Sequence, residues 1–134
     1  MDSRELVNLA IEAMGKAYTP YSNFKVGAAL LTDDGEVYIG CNIENAAYSP
    51  TVCAERVAFF PAVRDGKRKF TKIAVVGGMN GMLSSFTYPC GVCRQVMREF
   101  CDDDFVLIVS DGKDIKEHTL ADILPFSFSP KDLA

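Results

Sequence analysis

The sequence predicts an α/β fold of three layers, α/β/α, in which a sheet is covered by helices on both faces. Apolar residues recur at helical spacing in some segments and in short extended runs in others, and the two kinds of segment alternate along the chain. Ile73 to Val76 and Phe105 to Val109 are continuous apolar runs, as expected of strands buried on both faces. A length of 134 residues suits one domain, 1–134, with enough chain for a real core and too little for two.

The elements follow in order. Leu6, Leu9, Ala10, Ala13, Met14 and Ala17 recur at helical spacing, and Asp2 stands three positions before Glu5 as in a capping box. A first helix is therefore expected to run to about Ala17 and to have ended by Pro20. Val26 to Leu31 and Glu36 to Cys41 read as strands joined by Thr32-Asp33-Asp34-Gly35, whose Asp-Gly pair favours a hairpin turn. Asn42 to Val52, rich in Asn and small residues, reads as loop. Cys53 to about Arg64 is a second helix, and Pro61 inside it should kink it or end it early. After the strand at Ile73 to Val76, Cys90 to Cys101 is a third helix and Phe105 to Val109 another strand. Asp111-Gly112 turns the chain into a short strand near Ile115, and Thr119 with Asp122 three residues on marks a last short helix.

Composition narrows the function classes. With 49% hydrophobic and 24% charged residues the chain has the balance of a soluble globular protein. The N-terminal MDSRELVNLA has no continuous apolar run, unlike a signal or transit peptide, and no stretch approaches a membrane span. Five cysteines, an odd number, read better as thiols or metal ligands in a reducing compartment than as a disulfide framework, so a cytoplasmic location is expected. A net charge of −4 argues against a polynucleotide partner, because such binding relies on Lys and Arg neutralising phosphates.

The chemistry is concentrated in Cys53-Ala54-Glu55-Arg56 and in Cys90-Gly91-Val92-Cys93 after Pro89. Cys-x-x-Cys alone fits a redox dithiol or half of a structural zinc site, and Cys-Ala-Glu-Arg alone fits an ordinary helix start. Together they are more specific. Cys90 and Cys93 share one helix face, whereas Cys53 and Glu55, two residues apart, converge only if Cys53 opens its helix. Helix N-termini would then favour thiolates and metal binding. Three thiolate ligands leave the fourth position of a catalytic zinc site for water, and a closed site would recruit Cys41, Cys101 or His118 as fourth ligand. Three thiolates around one Zn2+ leave a net negative charge, which Arg56 could offset by hydrogen bonding to sulfur, the alternative being an exposed helix residue.

At this point the chain resembles the small, homotetrameric, zinc-dependent cytidine deaminases. The resemblance runs through Tyr18-Thr19-Pro20-Tyr21-Ser22, Phe24-Lys25-Val26-Gly27-Ala28-Ala29-Leu30, Cys41-Asn42-Ile43-Glu44-Asn45-Ala46-Ala47-Tyr48 and Pro89-Cys90-Gly91-Val92-Cys93-Arg94-Gln95. It implies a mixed five-stranded sheet between helices, one Zn2+ per subunit held by Cys53, Cys90 and Cys93, a small-molecule nucleoside substrate and a homotetramer whose sites are shared between subunits. Carried over by position, Glu55 is the proton-moving residue. Asn42 and Glu44 hydrogen-bond the ribose, while Phe24, Tyr48, Ala54 and Phe128 are further substrate-binding positions, Phe128 reaching a neighbour's pocket unless the unusual Phe126 takes over that place. The composition-level readings of Asn42, Glu44 and Phe24 are solvated loop and core.

The implied reaction is hydrolytic deamination of cytidine and deoxycytidine to uridine and deoxyuridine with release of ammonia, a pyrimidine-salvage activity. Rival readings are a blasticidin-type aminonucleoside deaminase, a polynucleotide deaminase and a non-enzymatic zinc module. The chain departs from the family pattern at Pro61, in the long stretch Gly77 to Tyr88, and at Phe126 of Leu124-Pro125-Phe126-Ser127-Phe128.

Overall fold

A computed structural model describes residues 1–134. Its elements are α1 (Ser3–Met14), β1 (Phe24–Thr32), β2 (Val37–Cys41), α2 (Ala54–Arg64), β3 (Phe70–Met79), α3 (Gly91–Phe100), β4 (Val106–Ser110), β5 (Ile115–Thr119) and α4 (Leu120–Ile123), with a terminal 3-10 turn at Pro130–Leu133. The strands form a mixed five-stranded sheet in the order β2-β1-β3-β4-β5. β3 and β4 are parallel, joined through α3, and the other neighbours are antiparallel.

The two-residue period of the strands divides the core into two faces. Ala28 and Leu30 of β1, Ile73 and Val75 of β3, and Leu107 and Val109 of β4 pack with Ala54, Ala58 and Phe59 of α2, Met97 of α3 and Leu120 of α4. The intervening residues Ala29, Leu31, Ala74, Val76 and Ile108 face Leu6, Val7, Ala10 and Met14 of α1. This is the three-layer sandwich expected from the sequence. Phe59 ties α2 to the rest of its layer, with ring centroids 5.1 Å from Phe70, 6.3 Å from Phe100 and 6.2 Å from Phe105.

Several boundaries differ from the expected ones, each for a local reason. α1 stops at Met14 rather than about Ala17, because Gly15 is a weak helix former and Lys16 and Ala17 donate to Ala13 and Met14 in tight i→i−3 bonds. Asp2 caps it by accepting from the Glu5 N–H at 2.8 Å, without the reciprocal bond of a full capping box. α2 runs three residues past Pro61 to Arg64, so the proline withholds one N–H from the Val57 carbonyl but does not end the helix. β3 extends beyond Ile73 to Val76 at both ends because it pairs along β1 from Phe24↔Met79 to Thr32↔Phe70. Asn42 to Val52 is not plain loop, since Ile43 and Val52 exchange two backbone hydrogen bonds of 3.0 Å.

Candidate active site

Two helix starts meet at one end of the sheet. Cys53 and Cys90 are the N-cap residues of α2 and α3, both with extended backbone (φ −75°, ψ 154° and φ −68°, ψ 168°). Neither side chain caps its own helix by a hydrogen bond, which leaves both sulfurs to face other groups. Cys93 occupies the third helical position of α3, where the side chain lies next to the N-cap, and Arg56 occupies the same position of α2. That relationship, ordinarily used by a capping box, brings Cys93 to Cys90 and lets Arg56 Nη2 donate to Cys53 Sγ at 3.4 Å. The condition set by the sequence, that Cys53 open its helix, is met.

The three sulfurs lie within 4.8 Å of one another, with Cys53 Sγ and Cys90 Sγ 3.6 Å apart. Tetrahedral Zn–S bonds of about 2.3 Å place sulfurs roughly 3.8 Å apart, so the donor set fits the metal. Cys41, Cys101 and His118 lie outside this cluster. Burial pushes the Cys101 thiol up to about 12 and raises Cys41 as well, and the His118 ring instead meets Tyr88, Nε2 to Oη at 3.0 Å. The Cys53 thiol is lowered to about 5, first by a hydrogen bond from Cys93 and then by Arg56, against the effect of burial. Cys93 is raised in turn by holding its proton against the Cys53 thiolate, and burial adds to the rise.

Glu55 is the second residue of α2 and is 3% exposed. Burial raises its carboxyl to about 7, with the Cys53 thiolate adding to the shift. Arg56, whose Nε is buried without a hydrogen-bond partner, stays charged because the Cys53 thiolate beside it raises its pKa.

The Ile43–Val52 bridge carries the segment of Asn42 and Glu44 next to Cys53. Asn42 is engaged with β1, its Oδ1 accepting from Val26 N–H at 2.9 Å and its Nδ2 donating to the Phe24 carbonyl at 2.8 Å. Glu44 Oε1 accepts from the N–H groups of Tyr21 and Ser22 at 3.0 and 3.1 Å, and Oε2 from the Ser22 hydroxyl. Asn42 therefore fixes the start of β1 and Glu44 the loop before it, and each keeps only part of its capacity for a ligand. Tyr21, Ser22, Glu44, Asn45, Tyr48 and Thr51 line a pocket of about 350 Å³. Tyr48 has φ 61° and meets Tyr21 edge to face at 6.3 Å. Phe24 is half-buried at the start of β1, and Phe128 is 61% exposed on the tail, held by its carbonyl rather than its ring. Ala54, the first residue of α2, is fully buried between Cys53 and Glu55 in the chain.

Gly40 was not singled out as functional from the sequence, although a glycine inside a strand is a signal of close backbone approach. A Cβ there would lie 2.2 Å from the Ala54 carbonyl oxygen and 2.7 Å from Ala58 N, so its absence sets the height of α2 over β2. Gly27 plays the same part for α1 on the opposite face, where a Cβ would lie 2.0 Å from the Ala10 carbonyl oxygen. Gly40→Ala and Gly27→Ala should each cost about 1–3 kcal/mol of stability through overpacking. Only Gly40→Ala should also lower bound zinc, by shifting the Cys53 turn. Thermal unfolding alongside zinc content per chain checks this, and equal zinc loss in both variants contradicts it. Tyr21 and Ser22, in the motif around Pro20, hold Glu44 and line its pocket, a role their composition does not signal.

Comparison with known proteins agrees with this geometry. A family model described as "Cytidine and deoxycytidylate deaminase zinc-binding region" matches residues 1–109. A cytidine deaminase of Sporosarcina psychrophila is 51% identical over 135 residues, covering 100% of this chain and 96% of that protein. One from Halalkalibacterium halodurans is 46% identical, covering 99% and 98%. The crystal structure of cytidine deaminase from Burkholderia pseudomallei superposes with TM-score 0.88 at 44% identity, covering 96% of this chain and 100% of that one.

Proposed function

The chain belongs to the zinc-binding cytidine and deoxycytidylate deaminase family, and on that premise we propose how its residues carry out hydrolytic deamination of cytidine and deoxycytidine to the uridine products. The observation that carries the reading is a buried carboxyl, Glu55, on the same helix start as one of three clustered thiols. Cys53, Cys90 and Cys93 hold one Zn2+ per subunit, which when bound supplies a Lewis acid that acidifies water at this site.

Glu55 does the proton work. Its carboxylate takes a proton from the attacking water as the oxygen bonds to C4 of the pyrimidine, and passes it to N3. The second water proton travels by the same group to the exocyclic nitrogen, the C4–N bond breaks, and ammonia leaves. Burial suits Glu55 to both directions of transfer, because a carboxyl raised to about 7 gives up a proton as readily as it takes one near neutral pH. Arg56 balances the excess charge of the thiolates. Asn42 and Glu44 bind the ribose with the capacity left after fixing β1 and its loop, Tyr48 lines the pocket, and Phe24 and Ala54 are further contacts of the nucleoside.

Phe128 completes the pocket of a neighbour in a homotetramer. Its exposed ring supports that reading, as does the open pocket, because enclosing a small ligand takes walls on several sides. Mixing Glu55→Ala chains with Phe128→Ala chains, each nearly inactive alone at low cytidine, should restore activity there at sites built from one chain of each kind. Absence of restored activity among chains shown to exchange would remove Phe128 from a shared pocket. A cytoplasmic setting fits a site of three reduced thiols.

The function itself is tested by offering purified protein cytidine, deoxycytidine, cytidine monophosphate and blasticidin S and following ammonia. Nucleosides should be consumed well ahead of the monophosphate, because the Glu44 carboxylate lines the pocket and repels phosphate. Blasticidin S as the preferred substrate, or equal use of the monophosphate, overturns the assignment.

A further inference from the structure

We propose that Gln95, backed by Arg94, is a positioning residue for the deamination reaction, fixing through the C-terminal tail where Phe128 projects. The two residues directly follow Cys93 on α3; Gln95 grips a backbone carbonyl of the tail, and Arg94 one at the end of α4, where the tail begins. Arg94 Nη1 donates to the Ile123 carbonyl at 2.8 Å, and its Nε donates to the Pro89 carbonyl at 2.9 Å. One side chain thus joins the chain entering Cys90 to the start of the tail. Gln95 Nε2 donates to the Phe128 carbonyl at 2.9 Å.

Within its own subunit the tail has little else to hold it. From Pro125 to Phe128 it makes no backbone–backbone hydrogen bond, and the contact from Gln95 is the one hydrogen bond on that stretch. Phe126 has φ 53° and a fully exposed ring, so it supplies no anchor inside its own subunit. A segment ordered only when substrate arrives charges its lost conformational freedom against binding, whereas a segment held in advance does not. Gln95 therefore acts on substrate binding more than on the chemical step. Arg94 ties that same tail to the helix that carries two of the metal ligands.

This inference rests on the reading that Phe128 completes a neighbour's pocket, and the test separates the two. Steady-state cytidine kinetics, zinc per chain and thermal unfolding are measured on the zinc-loaded full chain and its variants Gln95→Met, Gln95→Glu, Phe128→Ala and Gln95→Met/Phe128→Ala. Gln95 is exposed, so its variants should fold normally. Gln95→Met, and Gln95→Glu, which keeps the shape without the donor N–H, should raise KM about 3–10-fold with kcat within about twofold and zinc at one per chain. In the Phe128→Ala background Gln95→Met should add nothing. A raised KM in Phe128→Ala with wild-type KM in both Gln95 variants overturns the positioning role, as does an equal Gln95 effect in the Phe128→Ala background. Wild-type KM in Phe128→Ala overturns the pocket reading, and this inference with it.

Discussion

Glu55→Gln is expected to fold, to hold one zinc per chain and to deaminate cytidine at least about 10³-fold more slowly than the wild type. The amide keeps the shape of the carboxyl and its place on the first turn of α2, so packing and the thiol cluster are preserved. What it loses is the ability to accept the water proton and return it to N3 and then to the amine. Because the proposed mechanism routes every transfer through this one group, a single substitution should remove them all, and the loss should fall on kcat. No second group stands ready: His118, the only histidine, is engaged with Tyr88. Zinc-loaded Glu55→Gln with turnover near the wild type would end the assignment of Glu55.

The second large effect is expected from the thiols. Cys53→Ala, Cys90→Ala and Cys93→Ala should each lose bound zinc, and turnover with it, whereas Cys41→Ala and Cys101→Ala should keep one equivalent. Losing one of three protein ligands should weaken binding by more than the roughly 10–100-fold typical of losing an outer partner of a metal ligand. Cys101 packs in the core with Phe105 and Met97, so its alanine variant should be less stable yet still metalled. Metal analysis of protein shown to be folded by circular dichroism decides the matter. Zinc loss from folded Cys41→Ala or Cys101→Ala would mean a four-thiol site.

Much of this site was legible because its residues are spaced by the geometry of helix starts. Cys90 with Cys93, and Cys53 with Arg56, stand at the N-cap and third helical positions, a spacing visible in the sequence itself. The two core faces were legible for a similar reason, since alternation in β1, β3 and β4 follows the two-residue period of a strand. What local sequence did not carry were features set by a distant partner. The full length of β3 depends on β1, and the meaning of Gly40 depends on the approach of α2. The hydrogen bonds of Asn42 and Glu44 to β1 and its preceding loop were likewise out of reach, because a loop composition does not reveal which strand it will edge.

Cys53 and Cys90 are 37 positions apart, so the metal between them closes a long loop of chain. An ion that binds the folded form and not the unfolded one shifts the balance between them by mass action. A molecule that loses its zinc therefore loses a cross-link together with its Lewis acid, and the ends of α2 and α3 become free to separate. The inactive molecules in a population are then also the ones most open to proteases, so metal supply sets the lifetime of the protein as well as its specific activity.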